Sequence, residues 1–273
     1  FGVRITLEHV TEGHLIADEL AKEAGVPMAV GPTLTHASKF ELQNKSWATP
    51  GVLDRAGCHV SIITDNSVIP QQYLPLCAGM AVKAGMDPFA ALQAINPDAA
   101  AWLDMPGLDL SLPVVRPADN TTYLHRGFDG SESPAGCLFF SAADGGDGAL
   151  YRVIYGHNLH DGSMFGALLR YRDPEFYARY PTFTLYTPEG AATYRIFSCH
   201  TATDTEPLYR TDRTAGADYD AFLQQLTEAS EYDTGARPPA DARVLTLSTC
   251  LTAYGSGLER YVLHAYQEDT AGG

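Results

Sequence analysis

The chain has 273 residues, enough for one large domain or two of ordinary size, and its 45% apolar content can fill a core. A formal charge of -15 excludes a nucleic-acid-binding surface, which needs a basic face, and electrostatic docking to anionic lipid. No apolar run approaches the ~20 residues of a membrane-spanning helix. Phe1–Val10 lacks the basic and apolar segments of a signal peptide, and a chain opening on Phe rather than Met points to a cut N-terminus or a piece of a longer protein.

Residues 1–95 alternate strand and helix. "RITLEHV" (4–10) predicts a strand, followed by a helical stretch over 14–24. "VPMAV" (26–30) predicts a second strand, with a helix over 47–56. "HVSIITD" (59–65) predicts a third, and helical patterns follow over 72–84 and 87–95. These strands read as apolar on both faces, as in a buried parallel sheet, so the segment is expected to be an α/β layer or part of a barrel.

Residues 96–268 read differently. Short strands bounded by turn residues are predicted at 112–116, 136–141, 150–156, 182–187, 192–202, 242–249 and 260–266, with helical patterns at 163–180 and 218–231. The expectation is a mostly antiparallel barrel or sandwich with helical inserts. The basic residues divide at the same place. All four lysines (Lys22, Lys39, Lys45, Lys83) precede residue 84, whereas residues 96–273 hold 12 arginines and no lysine. Two segments of different origin would produce this split, as would an arginine-rich genome by chance.

The five cysteines, Cys58, Cys77, Cys137, Cys199 and Cys250, are an odd number without CxxC spacing, which fits neither a disulfide framework nor a zinc knuckle. Four read as small buried hydrophobes. Cys250 differs because "RVLTLSTCLT" (243–252) places it at the exit of a strand, where a thiol is reachable. A thiol attacks only as thiolate, so it needs a base or cation beside it, and acyl transfer needs a donor for the developing oxyanion. "VIYGHNLHDGSMF" (153–165) places His157 at another strand exit, and "GLERYVLHAY" (257–266) begins a strand at Arg260. On neighbouring strands the three side chains could converge at one rim. Taken singly, each has an ordinary structural reading.

"INPDAAAWLDMPG" (95–107), "LPVVRPADNTTYLHRGF" (112–128), "VIYGHNLHDGSMFGALLRY" (153–171), "TYRIFS" (193–198) and "TLSTC" followed by "ERYVL" (246–263) resemble, in that order, class B sortases. The spacing agrees, with 93 residues from His157 to Cys250 and 10 from Cys250 to Arg260. The resemblance implies a closed β-barrel with flanking helices (α+β) over 87–268. It also implies a cysteine transpeptidase of Gram-positive cell envelopes that needs no cofactor. Cys250 would attack the Thr carbonyl of a sorting-signal pentapeptide, Asn-Pro-Gln-Thr-Asn-like or Leu-Pro-x-Thr-Gly-like, and release the tail from a thioacyl intermediate. An amine of a peptidoglycan cross-bridge or a pilin lysine would then take the acyl group. His157 would serve as acid and base and Arg260 would bind substrate and oxyanion. Turnover would be slow, because only the minority of enzyme holding thiolate and imidazolium together is thought to react. Asn120 matches a family position near the active site. Ser248, two residues before the thiol on the same strand face, would touch substrate. His160, in the loop beyond YGHN, is the alternative base. The segment 203–232 would carry the class B helix and form part of the substrate groove. The resemblance places the protein at the extracellular face of the membrane or in the cell envelope. Sortases are normally tethered by an N-terminal anchor helix, whereas residues 1–94 here are α/β sequence.

That first segment has its own resemblance. "RITLEHVTEGHLIADELAKEAGVPMAVGPTL" (4–34), "GVLDRAGCHVSIITDNSVIP" (51–70) and "AVKAGMDPFAALQAIN" (81–96) are similar to the end of a TIM-barrel-like amidohydrolase, with imidazolonepropionase-like or aryldialkylphosphatase-like members nearest. His9 and Asp65 match positions that bind or flank that family's catalytic metal. The remaining ligands have no counterpart, so residues 1–86 are expected to be an incomplete segment that binds metal poorly. The join falls within "FAALQAIN" (89–96), and 269–273 form a tail. Two other readings remain: a metal-dependent hydrolase carrying the sortase part as passenger, and a non-catalytic envelope protein using the sortase fold for binding. The intact Cys250, His157 and Arg260 argue against the last.

Overall fold

A computed structural model describes residues 4–23, 25–205, 207–252 and 257–268, Glu41 in its backbone alone. The expected tail at 269–273 lies outside the described residues. The chain divides into two compact units, Phe1–Ala99 and Ala100–Gly273.

In the first unit, β1 (Pro27–Val30) and β2 (His59–Ile62) form a two-stranded parallel sheet in the register Pro27↔His59 to Val30↔Ile62. Short helices surround it: α1 (Ala17–Leu20), continued at both ends by 3-10 turns, α2 (Thr49–Arg55), α3 (Leu74–Lys83) and α4 (Pro88–Gln93). Their apolar faces close a core around Met28, Val30, Leu53, Ile62, Cys77 and Ala81. Helix α4 starts where it does because Pro88 suits a first turn and the Asp87 side chain accepts from the Ala90 N–H at 2.9 Å. The strand expected over 4–10 is not regular. Leu7 N–H donates to Pro27 O at 2.9 Å and Leu7 O accepts from Ala29 at 2.8 Å, but only a single bridge forms. His9, at φ 57°, turns the backbone out of the extended region. Nor is β2 apolar on both faces: Val60 and Ile62 are buried while His59 and Ser61 are exposed, the alternation of a half-covered strand.

The second unit is a closed barrel of eight strands in the order β10-β8-β7-β3-β4-β5-β6-β9. The strands are β3 (Ala99–Met105), β4 (Leu110–Val115), β5 (Leu138–Phe140), β6 (Tyr151–Tyr155), β7 (Thr182–Thr187), β8 (Gly190–Thr203), β9 (Val244–Cys250) and β10 (Glu259–Gln267). Two helices flank it, α5 (Pro174–Arg179) and α6 (Ala217–Glu228). Two pairings, β4 with β5 and β6 with β9, are parallel. Strand β3 has no counterpart among the expected strands: its opening Ala99-Ala100-Ala101 favours helix, and its strand character comes from pairing Trp102, Leu103 and Asp104 with Tyr186, Leu185 and Thr184 of β7.

Strand β9 is buried along nearly its whole length because both faces are covered. Leu245 and Leu247 join Leu103, Phe140, Ile154 and Leu263 in the barrel interior. Val244, on the other side, packs with Tyr151, Phe197 and Val262 beneath Tyr219, Phe222, Leu223 and Leu226 of α6. Each such aliphatic side chain stabilises the fold by roughly 1.5–3 kcal/mol. The Tyr219 hydroxyl donates to Ala242 O at 2.8 Å, just before β9 begins. The strand that ends in Cys250 is thereby held from both sides.

Candidate active site

Strand register brings the site together. In the parallel pair β6–β9, Tyr155 stands opposite Ser248, and the ladder continues as Gly156 N–H donates to Ser248 O at 3.2 Å. Two residues further along each strand come His157 and Cys250, so equal extension from a matched pair sets them at one level, on neighbouring strands about 5 Å apart. On the other side of β9, the antiparallel register sets Arg260 opposite Cys250. Gly156 is required at this exit, since a Cβ there would lie 2.5 Å from Leu138 Cδ2 and 2.7 Å from Phe165 Cδ2.

Cys250, His157, Arg260, Ser248 and Asn120 all line one cleft of about 520 Å3, with Leu124, Tyr155, Asp204 and Tyr209 among its other walls. Of the five cysteines only Cys250 is partly exposed; the other four are buried. His157 Nε2 lies 2.8 Å from the carbonyl of Leu124. A carbonyl only accepts, so Nε2 carries a proton and Nδ1 is the nitrogen that can gain and lose one. The His125 ring stacks on His157 at 6.2 Å. His160 is exposed and does not line the cleft.

The two supporting residues already have partners. Asn120 Oδ1 accepts from the Ala142 N–H at 2.7 Å and so braces a loop at the cleft wall. The Ser248 hydroxyl, in a residue 2% exposed, lies 3.0 Å from the Tyr209 hydroxyl, and the Tyr209 ring stacks on Tyr155 at 6.1 Å. Burial pushes the Tyr209 hydroxyl up to about 12, and Tyr155 rises for the same reason, so both remain neutral donors at physiological pH.

Three further site residues carry the arrangement without standing out in the sequence. Asn158 Nδ2 donates to Cys250 O at 3.0 Å and Leu251 O at 3.3 Å, tying the His157 loop to the end of β9. Asp204 follows β8 and meets Arg260, its Oδ2 accepting from Nη2 at 3.1 Å. Tyr209 stands on a 3-10 turn, Pro207–Tyr209. Asn158 has one signal, its place directly after His157 in YGHN. Asp204 and Tyr209 have none, because their partners are 56 and 39 residues away.

His9 and Asp65 do meet, Nε2 to Oδ1 at 3.7 Å, on the wall of a separate cavity of about 880 Å3 in the first unit. Among the described residues no group of three His, Cys, Asp or Glu side chains is placed to hold a metal ion. One imidazole and one carboxylate fall short of the usual three protein ligands, so these residues do not fit a catalytic metal. No helix of the described residues is long and apolar enough to cross a membrane.

A model of the sortase domain matches residues 103–268. Sortase B of Listeria monocytogenes is 29% identical over 167 residues, covering 61% of this chain and 68% of that protein. Sortase B of Staphylococcus aureus is 28% identical over 178 residues, covering 65% and 73%. Among solved structures, the Staphylococcus aureus sortase B–substrate complex superposes with a TM-score of 0.64 at 25% identity, covering 74% of this chain and 94% of that one. Bacillus anthracis sortase B in complex with AAEK1 gives 0.60 at 32% identity, covering 66% and 83%. These matches span the barrel and its cleft, with the thiol at a strand exit between an imidazole and a guanidinium; the chain belongs to the sortase family and is a sortase B-like cysteine transpeptidase.

Proposed function

We propose that Cys250 is the nucleophile, His157 the acid and base, and Arg260 the oxyanion and substrate ligand of this transpeptidase. The observation that carries the assignment is the register: Tyr155↔Ser248 and Arg260↔Cys250 set three functional groups at one end of three adjacent strands. The Cys250 thiolate attacks the Thr carbonyl of a sorting-signal pentapeptide. The C–N bond breaks, the amine leaves with a proton from His157, and a thioester to Sγ remains. An incoming amine, from a peptidoglycan cross-bridge or a pilin lysine, gives its proton to His157 and displaces the thiolate. The guanidinium is permanently charged and planar, which suits it to both the bound carbonyl and its oxyanion. Asn120 and Ser248 shape the substrate side of the cleft. The reaction belongs on the extracellular face of the membrane, where such amines are found. The first unit, read as the incomplete end of an amidohydrolase-like barrel on its motifs alone, is assigned no reaction.

The test is cleavage of fluorogenic pentapeptides of both classes, with and without an added amine, by the chain and by Cys250→Ala. Cleavage is expected to be lost in Cys250→Ala, to persist in excess EDTA, and to give amine-ligated product. Cleavage that survives Cys250→Ala, or is lost to chelator and restored by zinc, overturns the assignment.

A further inference from the structure

Arg260 is held on two sides. Its Nη1 donates to Gly257 O at 2.6 Å and Glu259 O at 3.1 Å, and its Nη2 donates to Asp204 Oδ2 at 3.1 Å. These three contacts use only part of the N–H fork, and the direction of the rest is set by them. The backbone of Asp204 acts separately from its side chain. The Asp204 N–H donates to Leu258 O at 2.9 Å and prolongs the β8–β10 ladder beyond Thr203↔Glu259. The Asp204 side chain is therefore not needed to close the barrel. Its other oxygen, Oδ1, is buried with no hydrogen-bond partner among the described residues. A buried carboxylate oxygen without a donor costs stability. An arrangement that is costly for the fold and in contact with the guanidinium of the cleft is the signature of a group kept for function.

Resting on the roles given above to Cys250 and Arg260, we propose that Asp204 is the positioning residue of Arg260. The carboxylate anchors Nη2, so that the remaining N–H donors face the carbonyl bound at Cys250. It also offsets part of the guanidinium charge at the thiol. The groups facing Cys250 across the cleft are His157, Arg260, Asp204, Tyr155 and Tyr209, with His125 stacked behind His157. Asp204 and Arg260 are the charged pair among them.

The experiment compares Asp204→Ala and Asp204→Asn with the full chain, and Asp204→Ala again in an Arg260→Ala background. Asp204→Ala is expected to lower kcat/KM on the order of 10- to 100-fold, mainly through kcat, the scale of a misplaced catalytic group. Its melting temperature changes little, because the lost contact to Nη2 is offset by removal of the orphaned oxygen. Asp204→Asn, which keeps an acceptor, falls between. In the Arg260→Ala background the Asp204 substitution has no further effect. A second readout needs no substrate: the pH dependence of Cys250 alkylation by iodoacetamide, which is selective because the other four cysteines are buried. Its midpoint is expected to move to lower pH in Asp204→Asn, as the unshielded guanidinium favours thiolate. The proposal is overturned by unchanged kcat/KM, by an unmoved alkylation midpoint, by an equal loss in the Arg260→Ala background, or by a melting temperature that falls with activity. If the unmodified chain cleaves neither peptide, the substrate assignment fails instead, and the alkylation midpoint still decides the Asp204–Arg260 coupling.

Discussion

Asn158 offers a direct probe of how the site is assembled. Its amide donates to two consecutive carbonyls, Cys250 O at 3.0 Å and Leu251 O at 3.3 Å, and the residue is 6% exposed. Asn158→Ala removes both bonds. At about 1 kcal/mol each, the barrel loses about 2 kcal/mol. At roughly 2–4 °C per kcal/mol for a domain of this size, its melting temperature falls by about 4–8 °C. Asn158→Asp is nearly isosteric but replaces the donor with a carboxylate facing two carbonyls. An uncompensated buried charge costs about 3–5 kcal/mol, so at neutral pH Asp is worse than Ala. Acidification narrows the gap, because a protonated carboxyl can donate again. Since the amide also fixes the His157 loop against β9, kcat/KM drops on the order of 100-fold in both variants. Differential scanning calorimetry and peptide cleavage across pH measure the two effects. Asn158→Asp as stable as the parent at neutral pH would refute the donor argument. Activity retained in Asn158→Ala would refute the claim that this tie positions the histidine.

Two other outcomes follow from the same structure. His264 is fully buried, its Nδ1 2.7 Å from the Thr246 hydroxyl and its Nε2 without a partner among the described residues; burial, then the neighbouring His200, holds it well below the usual imidazole range. The unfolded chain takes up a proton that the fold refuses, so this contribution is complete above about pH 6.5 and is lost as pH falls below it, by up to about 1.4 kcal/mol per pH unit. His264→Gln is expected to flatten the dependence of melting temperature on pH between about 6.5 and 5, and an unchanged slope would remove His264 as its source. Deleting residues 1–86 is expected to leave a folded, active core, since all eight barrel strands lie from Ala99 onward; loss of the cooperative melting transition in the truncated chain would show that the first unit is structural.

What is legible in the sequence, and what is not, follows from the range of each signal. Alternation along 244–250 announces a strand, and a cysteine at its end announces reach, because both are local properties of a pleated chain. Partnership is not local. Nothing in "LYRVIYG" says that it lies parallel to a strand more than 90 residues later, yet only that register places His157 level with Cys250. The motif resemblance supplies the partnership; periodicity does not. Where neither helps, expectation fails in a particular way. Ala99–Ala101 follow helix preference until Tyr186 and its neighbours supply a strand to pair with. The 4–10 segment follows strand preference until His9 leaves the extended region. Asp204 stands in a turn, where an aspartate is ordinary, and acquires meaning only when β10 brings Arg260 beside it. Cys250, His157 and Arg260, the groups proposed for catalysis, are legible because they stand at strand exits with a recognisable motif around each. Their hydrogen-bond partners Asp204 and Asn158 are harder to read, because those contacts are relations between segments that the chain joins only on folding.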